Sequence, residues 1–257
     1  MFSERIEDKK SLLKVLLMQI RQDPLVAQEE LQSFAKYSGL AIEQIDVLDV
    51  FEQPIFESSV LQGYDALWVG GASDANVLQP EKYPFVQSAR NLLLACCKQN
   101  MPVFASCFGF QLAVQALGGV VEDSESEFEI GTIPITLAFN SKKDRLLRDT
   151  PNYFMAVSVH KQKAMKAPPN TQLLAYTDTC VHAFKVKGKP FWAFQFHPEV
   201  DLEILKQRLT VYRENYTKNS EMLDKVLQAA VATPDSNKLV AKFVDRVLLG
   251  ESTESKL

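Results

Sequence analysis

The chain has 257 residues, 46% of them hydrophobic and 23% charged, with a formal net charge of −4. That length can bury a substantial core, as one large α/β unit or two small ones, and the composition is that of a soluble globular protein. The acidic balance and the lack of any Lys or Arg run exclude a nucleic-acid backbone as a favoured partner.

Met1 to Asp8 mixes both charges before any apolar run, which is the pattern of neither a secretory signal nor a transit peptide. No apolar stretch approaches the roughly 20 residues of a membrane helix, so a cytoplasmic protein with no membrane partner is expected. Leu12 to Ile20 then reads as a mostly buried strand. Pro24 opens a helix through Leu25, Val26, Leu31, Phe34 and Ala35 that Ser38-Gly39 closes, with Pro near the start and Gly past the end. Ala41 to Leu48 is a second strand, and strand-helix-strand is the opening of a parallel sheet. Tyr64 to Ser73 is another buried strand, ending in Gly70-Gly71. Paired glycines let a backbone N–H face a ligand, but they equally suit a plain strand-to-helix turn.

Residues 85–99 form an amphipathic helix, and Pro102 to Phe104 a short strand. After it comes Ala105-Ser106-Cys107-Phe108-Gly109-Phe110-Gln111, and then a helical apolar pattern through Leu112, Val114, Ala116 and Leu117 that Gly118-Gly119 stops. Strand, sharp turn and helix in this order push one side chain out at the carboxyl end of a sheet. Small residues two before and two after it, here Ala105 and Gly109, are required because strand and helix backbones nearly touch there. A cysteine at a helix N-terminus also meets unpaired N–H groups and the positive end of the helix dipole, which favour negative charge. Cys107 therefore reads as a nucleophile.

From Val120 the character changes. Ile130 to Leu137, Asn152 to His160, Gln172 to Tyr176, His182 to Val186 and Phe191 to Phe196 are short strand-like runs, which predict antiparallel hairpins added to the sheet. Leu202 to Gly250 reads as two or three helices, one through Leu205, Leu209 and Tyr212, one through Met222, Val226 and Ala230, and one through Leu239, Phe243 and Val247. Pro234-Asp235-Ser236 separates the last two, with Asp235 or Ser236 as N-cap. A polar, frayed tail follows Gly250. With no repeat, low-complexity segment or linker, a single domain over 1–257 is expected, its core about 12–200 and a helical extension about 201–250.

Of the four cysteines, Cys96, Cys97 and Cys180 read as small buried hydrophobes. No pair has zinc-ligand spacing with His nearby, so neither a disulfide framework nor a metal site is expected. A nucleophilic cysteine needs a base, and the histidines are His160, His182 and His197. His197 ends an apolar strand in Gln195-Phe196-His197-Pro198-Glu199. Pro198 fixes the turn, and Glu199 can reach back to hold the imidazole tautomer, as a triad requires. His160 stands outside this triad, as a backbone-bonded strand-end residue or at the pocket rim, and His182 reads as structural.

The Ser-Cys-Phe-Gly-Phe-Gln segment, the Gln-Phe-His-Pro-Glu segment and the upstream Val-Gly-Gly, in this order, resemble class I glutamine amidotransferases over about Leu12 to Glu199. Ser158-Val159-His160 is similar to the family's "S-H" stretch, and Glu127-Phe128-Glu129-Ile130-Gly131 to its "E-x-G" stretch. The resemblance implies a mostly parallel, flavodoxin-like α/β sheet flanked by helices, with an added antiparallel hairpin region and C-terminal helices, as in stand-alone GMP-synthase-like members. It implies Cys107, His197 and Glu199 as the catalytic set hydrolysing the side-chain amide of glutamine, with Gly71 and Phe108 N–H groups as oxyanion hole and Gln111 at the substrate. It implies no cofactor, and a synthase partner accepting ammonia. A γ-glutamyl peptidase with the same triad and a catalytically silent binding module are the competing readings. Two positions depart from the family: Ala105 replaces the usual glycine, and Phe110 stands where His or Met is common, which would make the pocket wall more apolar.

Overall fold

In the computed structural model, residues 2–73, 75–124, 128–211 and 220–250 are described. In chain order the elements are α1 (Phe2–Ser11), β1 (Val15–Ile20), α2 (Pro24–Ser38), β2 (Ile45–Asp49), β3 (Ala66–Ala72), α3 (Phe85–Gln99), β4 (Val103–Ser106) and α4 (Phe108–Ala116). The second half adds β5 (Glu122–Asp123), β6 (Glu129–Leu137), β7 (Tyr153–His160), β8 (Gln162–Lys163), β9 (Thr171–Tyr176), β10 (Val181–Val186) and β11 (Phe191–Phe194). Helices α5 (Leu202–Val211), α6 (Ser220–Ala229) and α7 (Pro234–Phe243) follow, α7 running on into a π-helical turn, Val244–Leu248.

Nine strands make one sheet in the order β2-β1-β3-β4-β11-β10-β9-β6-β7. From β2 to β11 every pairing is parallel, and from β11 to β7 every pairing is antiparallel. This is the parallel α/β sheet with added hairpins expected from the sequence. Its period-two alternation sorts side chains onto two faces. Leu16, Met18, Leu67 and Val69 join Phe85, Leu92 and Leu112 of α3 and α4 on one face. Val15, Leu17, Trp68 and Phe104 join Phe34 of α2 and Phe243 of α7 on the other. There Phe34 stacks on Trp68 at 5.3 Å and Phe243 meets Phe104 edge-on at 5.4 Å, pairs of the kind that add to simple burial.

The boundaries of α2 match the sequence signals. Asp23 accepts from the N–H groups of Leu25 and Val26 at 2.8 and 3.4 Å, Pro24 fills the first turn and Gly39 takes the left-handed cap at φ 68°. Elsewhere local signals misled. The second strand begins at Ile45, because Ile42–Gln44 form a 3-10 turn closed by Gln44, whose side-chain oxygen accepts from Ala41 N–H at 3.0 Å. The charged lead is helical in Phe2–Ser11. Pro234 is itself the first residue of α7, so the cap position falls to Thr233 and not to Asp235 or Ser236. Tyr212, Glu127 and the tail after Gly250 lie outside the described residues. Among the described residues, no helix is long and apolar enough to cross a membrane.

Candidate active site

The carboxyl ends of β1, β3, β4 and β11 meet where the strand order reverses, between β1 and β3, the place where open α/β sheets form their crevice. Arg21 follows β1, Gly71 lies near the end of β3, Cys107 follows β4, and His197 follows β11 closely. A cavity of about 250 Å³ opens there, with Arg21, Cys107, Gln111, His160, His197 and Arg208 in its wall.

Cys107 has φ 50° and ψ −100°, a conformation that costs a non-glycine residue on the order of 1–3 kcal/mol. Its N–H is held by Phe194 O at 2.8 Å and its thiol points to Val159 O at 3.7 Å. A Cβ on Gly109 would stand 2.8 Å from the side chain and the carbonyl oxygen of Val69, so the turn closes only because that position is bare. Phe108 opens α4, and its N–H belongs to the first-turn donors that a helix leaves unpaired.

His197 Nδ1 donates to Glu199 Oε1 at 2.6 Å, and both side chains are buried. With Nδ1 carrying that proton, Nε2 is the nitrogen left for Cys107. Burial alone would lower the pKa of His197, but the negative charges of Cys107 and Glu199 outweigh it and raise it to about 9. Burial works against ionised Glu199 too, yet the His197 charge and hydrogen bond hold its pKa below the ordinary carboxylate value. Such a set can take a proton from sulfur, store it on the ring and release it to a leaving group.

Two expectations need correction. The Gly71 N–H is bonded to Glu30 Oε1 at 3.2 Å, so it is occupied by a buried carboxylate. Glu30 sits there because it also takes Arg21 Nε and Nη2 at 2.9 and 2.8 Å. Phe110 is not in the pocket wall: helical phase turns it into the core, where it packs on Phe184 at 5.2 Å. Gln111 does reach the pocket, its Nε2 held by Gln162 O at 3.0 Å.

Three participants went unread in the sequence. Arg21, a charged residue directly after a buried strand at the switch point, carried a signal that could have been used. Arg208, forked onto Glu29 at 2.6 and 3.1 Å, lay within an ordinary helical pattern. Asn237 donates to the carbonyls of Pro198 and Val200 at 2.8 and 2.9 Å from a helix about forty residues downstream. A further group, Glu129, His160, Cys180 and His182, converges beside the cavity although the sequence spacing suggested no metal ligands.

Residues 57–212 match the sequence pattern of the family described as Glutamine amidotransferase class-I. The A subunit of the glutamine-hydrolyzing GMP synthase of Methanocaldococcus jannaschii is 34% identical over 118 residues, which are 46% of this chain and 61% of that protein. Its counterpart from Methanococcus aeolicus is 36% identical over 129 residues, 48% of this chain and 66% of that protein. The chain thus spans just under two thirds of the length of these relatives. By structure, a glutamine amidotransferase from Thermotoga maritima superposes with a TM-score of 0.74 at 18% identity, over 93% of this chain and 99% of that one. One from Methylobacillus flagellatus superposes with a TM-score of 0.69 at 16% identity, over 95% of this chain and 97% of the other.

Proposed function

Because the chain belongs to the class I glutamine amidotransferase family, we propose that it hydrolyses the side-chain amide of glutamine to glutamate and ammonia through a thioester on Cys107. Cys107 Sγ, its proton already passed to His197 Nε2, attacks the amide carbon as thiolate. The tetrahedral intermediate collapses as His197 returns that proton to the departing ammonia. A water, deprotonated by His197, then attacks the thioester, and glutamate leaves as the thiol is reprotonated. Glu199 holds the ring tautomer throughout. The observation that carries this reading is the 2.6 Å contact of His197 Nδ1 with buried Glu199, which commits the other ring nitrogen to the strained Cys107.

Oxyanion stabilisation falls first to the Phe108 N–H at the start of α4. Each such donor is worth on the order of 2.7–4 kcal/mol. Gly71 would join it only after its peptide leaves Glu30. Gln111, between the nucleophile helix and the Gln162 carbonyl, would contact the amino-acid part of the substrate. The reading treats the whole chain as one amidotransferase domain in the cytoplasm, whose ammonia passes to a separate synthase, as the names of its relatives, each one subunit of a GMP synthase, suggest.

The test is a panel of glutamine and γ-glutamyl dipeptides given to the wild type and to Cys107→Ala. Ammonia and glutamate from glutamine, lost in the variant, are expected. Turnover of γ-glutamyl peptides without glutamine would replace this reading by a γ-glutamyl peptidase. No reaction of Cys107 with a glutamine-analogue electrophile would leave a silent binding module.

A further inference from the structure

Glu129 on β6, His160 at the end of β7, and Cys180 and His182 at the start of β10 bring one donor atom each into a space in which all four lie within 4.8 Å of one another. Glu129 Oε2 is 2.9 Å from Nε2 of both His160 and His182, and Cys180 Sγ is 3.4 Å from the same His182 nitrogen. The three partners of Glu129 are buried. We infer that these four side chains form a site for one divalent metal ion, of which zinc fits best.

Donor accounting supports this. His160 Nδ1 faces the Gln162 carbonyl at 3.0 Å and must donate to it, which leaves a lone pair on Nε2 of the neutral ring. That lone pair points at a carboxylate oxygen, which can only accept. Two acceptors 2.9 Å apart repel unless a cation lies between them or the ring gains a second proton. Glu129 is already supplied: Ser158 donates to Oε2 at 3.3 Å, and the hydroxyls of Thr177 and Thr179 donate to Oε1.

The donor chemistry is specific as well. Two imidazoles, one sulfur and one carboxylate are a borderline-soft set that suits zinc over magnesium or calcium. Bonds of about 2.0–2.3 Å in a tetrahedron put donors roughly 3.3–3.8 Å apart; the four donors here lie within 4.8 Å of one another, and the two carboxylate–imidazole pairs at 2.9 Å would open slightly as the ion enters. The outer contacts have the expected form at two of the ligands, His160 being oriented by a backbone carbonyl and Glu129 by two hydroxyls, whereas the buried Nδ1 of His182 has no hydrogen-bond partner among the described residues. Four chain ligands leave no open position, so the ion is structural. It would tie β6 and β7 to the start of β10, behind the wall that His160 gives the Cys107 cavity. On binding, the Cys180 thiol releases its proton to solvent and sulfur coordinates as thiolate.

This inference is independent of the proposed hydrolysis. The test uses the full chain carrying Cys107→Ala, which removes the other cysteine-histidine pair able to take zinc. After stripping with a chelator, titration with Zn²⁺ should give about one bound zinc per chain and raise the melting temperature. Titration with Co²⁺ should give a thiolate-to-cobalt charge-transfer band. Cys180→Ser should lose that band, and Cys180→Ser/His182→Gln should bind zinc at least about 100-fold more weakly while circular dichroism is retained. Should the variants fail to fold, the cobalt spectrum of the Cys107→Ala chain still decides. No stoichiometric uptake at tens of micromolar zinc, uptake without a thiolate band, or unchanged affinity in the double variant would overturn the site. Absent uptake with a doubly protonated His160 in NMR spectra would overturn it in favour of a buried ion pair.

Discussion

The side-chain amide of Asn237 donates to the carbonyl oxygen of Pro198 at 2.8 Å, and so fastens the C-terminal helix to the turn that carries Glu199. A second bond to Val200 O at 2.9 Å closes the other side of the same turn. The helical extension thereby becomes part of what orients the imidazole. Asn237→Ala leaves two buried carbonyls short of a donor, at about 1–3 kcal/mol. Glutamine turnover should fall roughly tenfold or more, with a lower melting temperature. Unchanged kcat in folded protein would detach the extension from the site.

Replacing Glu199 by Gln keeps its shape but removes the charge that holds Nδ1 protonated. A loss of roughly 10⁴-fold in kcat is expected, the scale of a triad whose orienting acid becomes an amide. Steady-state ammonia release measures it; a loss of only a few-fold would mean that His197 is held by something else.

His197 titrates near 6.5 in an unfolded chain and at about 9 in the folded protein. The folded value is the higher, so the native state holds its proton more tightly, and the resulting stability is complete below about pH 6.5 and lost as pH rises through about 9. The difference in melting temperature between wild type and His197→Gln should therefore shrink between about pH 7 and pH 10. A difference that grew over that window would contradict the charge pairing with Cys107 and Glu199.

Gly71 and Gly109 separate function from stability. A methyl at Gly71 would stand 2.7 Å from His197 Cε1 and 2.8 Å from Arg21 Nη2, both side chains of the cavity wall. Gly71→Ala should cut turnover by roughly 10² or more by displacing the imidazole, with a small change in melting temperature. A methyl at Gly109 instead meets the backbone oxygen of Val69, so Gly109→Ala should destabilise the fold by about 1–3 kcal/mol. Thermal denaturation beside ammonia release distinguishes them; equal stability losses would refute the division.

Phe110→His tests the departure from the family at the elbow. Since Phe110 packs on Phe184 in the core, the change should lower stability and leave the preference between glutamine and γ-glutamyl dipeptides where it was. A shift in that preference with stability intact would return Phe110 to the pocket wall.

Much of the fold was legible because its signals are local. Pro24 and Gly39 bound a helix through their own dihedrals, and β1 and β3 announce themselves as apolar runs long enough for a buried strand. The elbow was legible for the same reason: a short strand, small residues and a cysteine lie in one stretch, as do His197, Pro198 and Glu199. Ile42–Gln44 and the cap of α7 depart from the reading because a 3-10 turn, and a cap two or three residues earlier, differ from their rivals by less than a local pattern resolves.

By itself, then, the sequence determined the two stretches that carry Cys107 and the His197-Pro198-Glu199 turn, the strand-helix alternation of the first half and the change to hairpins after Val120, since each depends on neighbours within a few residues. The tertiary structure alone decided what stands around them. That Glu30 takes the Gly71 N–H, that Phe110 faces Phe184, that Asn237 grips the Glu199 turn, and that Glu129, His160, Cys180 and His182 share one space are contacts between segments distant in the chain. Such contacts arise from strand order and helix phase, which no single stretch of the chain encodes.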